Sequence, residues 1–317
     1  MSLQTIFYVA FFFAVSSCTI RSIGVGQDAS SATDRTNPQN ASEQQRQDEL
    51  PPSPGLPAAP SEAPQDAPTG FPPNSPVGKV LAELKSVFPP PIGMTTLSET
   101  DRIWIDAEKN RVVIDGYFCL EAGQLEMFAC PIGTKEYESV VAVFPLAKTV
   151  HAALLAAGAQ SGSTTEFEPY KPATGSTIEV TVLWPDANGN IRNERGQYFV
   201  RYIATEQNMR YDWVFGGSKI YRDEQTGETF YLGEGGELIC VSNFASATMD
   251  IAVQSVDSKE GLLFDVFESR IPAEYTPARL VLHASNRPPF TGDGDIDLSK
   301  PRPRRVDLPN DQPPSEE

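Results

Sequence analysis

The chain of 317 residues is poor in the side chains that most enzymes and most nucleic-acid binders require. It has two histidines, His151 and His283, and four cysteines. No two cysteines lie two to four positions apart, so the short Cys-x-x-Cys unit of a strong zinc signal is missing. No Gly-rich dinucleotide or phosphate loop follows a first strand, and no motif indicates a cofactor. Lysine and arginine number 25 against 42 acidic residues, a formal net charge of −17. That balance disfavours nucleic acid, whose phosphates need a lysine and arginine footprint. The one dense basic group, PRPRR at 301–305, lies in a proline-rich tail. The apolar run Ile6–Val15 is ten residues long, too short to cross a bilayer comfortably.

That run has the length of a signal-peptide core, and the small residues Ser16 and Ser17 precede Cys18. Val15-Ser16-Ser17-Cys18 resembles a bacterial lipobox, whose cysteine is acylated and becomes the first residue of the mature chain. The resemblance implies lipidation at Cys18, a lipid bilayer as partner, and a protein facing the periplasm or the exterior. The segment before the run departs from the pattern, because it has no lysine or arginine. Residues 1–18 are read as the signal segment and 19–78 as a disordered tether. The tether has almost no large apolar residues and cannot offset the entropy of ordering its backbone. Ten of the 28 prolines fall between Pro51 and Pro76 and stiffen it toward extended conformations.

The folded part is expected over 79–286, followed by a disordered tail over 287–317. A helical pattern at 77–88 stops at three prolines, and Pro145 opens a second helix that Gly158 closes. The rest reads as short strands, among them 102–106, 111–120, 124–130, 139–144, 177–184, 197–204, 237–244, 262–267 and 278–284. The expected class is α+β, a predominantly antiparallel sheet with one or two short packed helices.

Glu121-Ala122-Gly123 reads as the turn of a hairpin between 111–120 and 124–130. A tight register pairing Leu120 with Leu125 sets Cys119 and Cys130 about 14 Å apart on one face. A disulfide tolerates about 7 Å between Cα atoms, so this register opposes a local bond. Cys240 reaches either cysteine if its strand lies alongside. The cysteine face also carries Asp115 and Glu126, which need partners if the 146–157 helix covers them.

DGYFCLEAGQLEMFACPIGTKEYESVVAV, VHAALLAAGA, YKPATG, WVFGGS and LICVSNF resemble the YdjY family of bacterial envelope proteins, in particular its exported planctomycete-type members. The likeness extends over most of 100–285. The family core of Cys-Pro, Gly-Thr-Lys-Glu, a histidine and Glu-Ser falls on Cys130, Pro131, Gly133, Thr134, Lys135, Glu136, Glu138 and Ser139. Tyr137 stands where the pattern has histidine, so any role of that imidazole is lost here. The resemblance implies no particular reaction.

Three classes of function compete. A hydrolase would combine Cys130 or Ser139 as nucleophile with His151 as base and Glu136, Glu138 or Asp115 as orienter. A metal site would draw on Cys119, Cys130, His151 and Cys240. Asp186, Asn188 and Asn190 alternate as in a calcium loop, but Ile191 stands where such loops have glycine. The favoured class is binding of an envelope ligand, or protein assembly. Its candidate contacts are Lys135, Tyr137, Lys171, Gly216, Gly217 and Ser218.

Overall fold

The computed structural model describes residues 70–98, 100–255 and 261–292. The signal segment with Cys18, most of the tether, and the tail from 293 lie outside the described residues. Helix α1, Pro76–Val87, starts where Ser75 accepts a hydrogen bond from the Gly78 amide at 3.0 Å, with proline in its first turn. Strands β1 (Thr95–Ser98), β2 (Ile103–Asp106), β3 (Arg111–Phe118), β4 (Met127–Pro131) and β5 (Ser139–Val143) follow, then helix α2 (Ala147–Ala156). The two-residue strands β6 (Glu166–Phe167) and β7 (Tyr170–Lys171) form a small hairpin. Next come β8 (Thr177–Pro185), β9 (Ile191–Arg195), β10 (Val200–Tyr202), β11 (Gln207–Asn208) and β12 (Trp213–Val214). The last strands are β13 (Ile220–Arg222), β14 (Thr229–Tyr231), β15 (Ile239–Cys240), β16 (Asp250–Ile251), β17 (Phe264–Val266) and β18 (Pro277–Ser285).

Among the described residues, eleven strands form one sheet with the central order β15-β4-β5-β3-β18-β8-β12-β16. Strands β1 and β2 extend it beside β3, and β9 beside β8. The β4–β5 pair is parallel, whereas β3–β5, β3–β18, β8–β18 and β8–β9 are antiparallel. The fold is therefore α+β with a largely antiparallel sheet, as the strand pattern leads one to expect. No helix among the described residues is long and apolar enough to cross a membrane.

Strand β3 is buried at all eight positions because both faces of the sheet are covered. Val112, Ile114 and Phe118 join the main core with Val150, Ala153 and Leu154 of α2. Val113 and Tyr117, on the opposite face, pack with Val80, Leu84 and Phe88 of α1. Alternation along one strand thus feeds two cores.

The hairpin expected between β3 and β4 does not form. Strand β5, apolar and wholly buried, lies between them and pairs with both. The 120–126 segment turns instead toward β17, with the Leu125 amide donating to Phe264 O at 3.0 Å and the Val266 amide to Gly123 O at 2.9 Å. Gly116 permits the close approach of β5, since a Cβ there would meet Ala142 O at 2.1 Å. Strand β15 does lie beside β4, yet Cys119, Cys130 and Cys240 are all free thiols.

The mixed face of β3 is covered by α1, not by α2. Its carboxylate Asp115 is completely buried and is held by Arg102 and Arg279. Both guanidinium groups also donate to the Phe88 carbonyl at the C-terminal end of α1. A second buried carboxylate, Asp250 on β16, accepts from Thr165 Oγ1 at 2.9 Å, Asn243 Nδ2 at 3.1 Å and its own neighbour's amide, Ile251, at 2.8 Å.

Candidate functional site

The polar motif follows β4. Gly133, at φ 81°, turns the chain, and Thr134 Oγ1 donates to Pro131 O at 2.6 Å. Residues Glu136–Glu138 make one 3-10 turn, and Ser139 Oγ closes it onto Lys135 O at 2.7 Å. Lys135 Nζ stands among three carboxylates: Glu237 at 3.0 Å, Glu126 at 3.5 Å and Glu138 at 3.5 Å. It also lies 4.7 Å from the centre of the Phe244 ring. Burial pulls the ammonium pKa down, but the three carboxylates outweigh it and hold Lys135 above its ordinary value. Burial raises Glu138, and the nearby Glu126 adds to that rise against the pull of Lys135.

Glu136 points inward. Its Oε1 accepts from the Gly133 amide at 2.7 Å and from Tyr117 OH at 3.3 Å. Cys130 is wholly buried beneath the turn. Burial pushes its thiol up to about 11, while Ser139 and Thr134 beside it pull the other way. Tyr137 alone projects, with 71% of its surface exposed. The motif therefore brings Cys130, Ser139, Thr134 and Glu136 together, and its charges answer one another.

His151 belongs to a different cluster. It is half-buried on α2, with Nδ1 2.9 Å from Tyr231 OH and its ring edge-on to Phe215 at 4.9 Å. Burial lowers its pKa, and the Gly217 carbonyl opposes the change. Tyr231 OH also lies 3.0 Å from Thr248 Oγ1. Gly216 and Gly217 are buried against this group, and Ser218 Oγ accepts from the Gly233 amide at 2.9 Å and donates to Ser246 O at 2.6 Å. Among the described residues no hydrogen bond joins His151 to Cys130, Ser139, Glu136 or Glu138. Lys171 sits apart on the small β6–β7 hairpin, paired with Glu166 at 2.7 Å.

The 231–237 segment, whose two ends the sequence marks only as strand, ties these parts together. Tyr231 meets His151, Glu234 caps α2, and Glu237 meets Lys135. The Glu234 carboxylate accepts from the Ala147 and Lys148 amides at 3.2 and 2.8 Å, where Leu146 provides no side-chain cap. The signal in the sequence is faint: glutamates at 234 and 237 within GEGGE, after an aromatic strand.

No three His, Cys, Asp or Glu side chains among the described residues are grouped as a metal ion needs. The Asp186 carboxylate closes its own turn, accepting from the amides of Asn188 and Asn190 at 2.9 and 3.0 Å and from Arg192 Nε at 2.8 Å.

The YdjY domain profile matches residues 103–283, more than half of the chain. The chain belongs to the YdjY family. Comparison with curated proteins finds no match, and comparison with solved structures finds none either. The YdjY match begins at β2 and ends within β18, so α1, which covers one face of the sheet, precedes it. Within the YdjY domain the polar motif is closed on itself, and an open cleft lies elsewhere. That cleft, of about 670 Å³, is walled by the 194–198 and 206–212 segments together with Arg270 and Arg287.

Proposed function

We propose that this YdjY-family chain is exported, held at a membrane through an acylated Cys18, and acts there by binding a ligand or a partner protein. In this reading most of 19–78 is the tether, and the working body is 79–286 together with the first turn of α1 from Ser75 and with Arg287 and Phe290, which are bonded to Asp212. The anchor rests on the lipobox-like VSSC and the apolar run before it. The observation that carries binding over catalysis is the self-sufficiency of the motif. Lys135 is matched by three glutamates, Glu136 and Ser139 are bonded within the turn, and Cys130 is sealed beneath it. A nucleophile needs a base within hydrogen-bond reach, and His151 is engaged with Tyr231 instead. The thiol-or-serine hydrolase alternative, with Cys130, Ser139 and His151, draws support from residue type alone.

Two measurements test this. Mass spectrometry of the mature N-terminus in the native host is expected to find an acylated Cys18; cleavage elsewhere removes the anchor. A soluble extract of the host's envelope is expected to raise the melting temperature of the mature chain. Ester hydrolysis that disappears in Cys130→Ala or Ser139→Ala would replace binding with the hydrolase reading.

A further inference from the structure

The open cleft carries a cation that no carboxylate among the described residues pairs with. Arg270 follows β17 in a short 3-10 turn. Its guanidinium carbon lies 3.6 Å from the centre of the Phe267 ring and 4.5 Å from that of Tyr198. Nη1 donates to Tyr198 O at 3.1 Å and to Asn208 Oδ1 at 3.0 Å. The group is therefore fixed by two rings and two neutral acceptors. Its other edge, Nε and Nη2, has no partner among the described residues. That edge is the two-donor fork that fits a carboxylate or phosphate oxygen pair.

The neighbours point the same way. Arg195 and Arg210 line the cleft and form no ion pair among the described residues. Arg287, by contrast, is held by Glu179 at 2.9 Å and Asp212 at 2.6 Å, which accounts for the two deepest carboxylates. Glu194 and Glu206 also line the cleft, so an occupant anionic along its whole length is excluded. Tyr198, Met209 and Phe290 add flat or flexible apolar surface. The volume of about 670 Å³ lies in the range of small-molecule sites. In a protein of net charge −17, the three cleft arginines without an ion pair among the described residues, Arg195 acting on Glu179 only at longer range, outnumber Glu194 and Glu206 and bias the cleft toward anions.

We infer that this cleft binds a small organic anion, with a carboxylate or phosphate on the free edge of Arg270 and an apolar group against Tyr198 and Phe290. The inference rests on the binding reading above and names the site and ligand class for it.

Calorimetric titration of the mature chain with phenyl phosphate, phenylacetate and neutral benzyl alcohol tests it. Either anion is expected to bind saturably and benzyl alcohol not to bind; the two anions separate a phosphate from a carboxylate preference. Arg270→Lys keeps the charge but loses the fork, and is expected to weaken binding about tenfold. Arg210→Gln removes an exposed side chain with no side-chain bond among the described residues, so stability is expected to hold while binding weakens about threefold. Ile220→Ala, at an exposed position on β13 outside the cleft, is expected to bind as the wild type does. The inference is overturned if no anion binds, if benzyl alcohol binds equally, or if both arginine variants keep full affinity. An envelope extract that still raises the melting temperature in those cases leaves the binding reading standing without this site; an extract with no effect removes both.

Discussion

Arg279 grips Asp115 through both carboxylate oxygens, with Nε 2.7 Å from Oδ1 and Nη2 3.0 Å from Oδ2. Arg102 adds Nε at 2.7 Å and Nη2 at 2.5 Å, both on Oδ2, so two buried cations share one anion. The carbonyls of Phe88, Leu84 and Pro89 at the end of α1 supply the remaining negative character. Asp115→Asn leaves both guanidinium groups without a counter-charge. A loss of roughly 3–5 kcal/mol is expected, read by urea unfolding. A loss below 1 kcal/mol would show that the α1 carbonyls suffice alone.

Lys135→Met removes the cation from Glu126, Glu138 and Glu237. We expect a loss of roughly 1–3 kcal/mol at pH 7. Part of it returns at pH 5. Burial already raises Glu138, so in the folded variant it takes up a proton more readily than in the unfolded chain, and stability rises as pH falls. Equal losses at both pH values contradict the arrangement.

Asp250 is wholly buried, and burial pushes its pKa from 3.8 up to about 7 against the pull of Thr165, Asn243 and two amides. The folded chain keeps a proton there that the unfolded chain releases. Its stabilising contribution is complete below pH 3.8 and is lost as pH rises to about 7. The shift corresponds to at most about 4 kcal/mol. Urea unfolding of wild type and Asp250→Asn across pH 4–8 should give a difference that shrinks or reverses toward pH 7; a constant difference rules the titration out.

The three core thiols should be inert in the folded state. Cys119, Cys130 and Cys240 are buried, and burial raises all three pKa values. A chromogenic thiol reagent at pH 8 is expected to modify none of them until denaturant is added. Fast modification of Cys130 in the native chain would reopen the nucleophile reading.

Much of the architecture was legible from local pattern. Proline and glycine bracket α2, and proline ends α1, because backbone geometry acts within a few residues. Strand partners were not legible. Periodicity reports which face a residue takes but not which strand lies beside it, so β5 entered the supposed hairpin unseen. The motif shows the same limit. The density of GTKEYES marks it as special, but of the carboxylates that neutralise Lys135, Glu126 is set beside it by the pairing of β4 with β5 and Glu237 by that of β4 with β15. Asp115 was recognised as needing a partner, while Arg279, 164 positions away, carries no sequence sign of the role.

Strand β18 pairs with β3 on one side and β8 on the other, although it is the last strand of the described residues, at Pro277–Ser285. A polypeptide made from its N-terminus has both neighbours in hand for roughly a hundred residues before the piece between them exists. Until then the two halves of the sheet expose raw edges toward each other, and the hydrophobic faces behind them have no common lid. Completion is thus a late, single event. A ribosome that stops short of residue 277 leaves a split sheet rather than a smaller domain, and such a fragment is a substrate for proteases and chaperones.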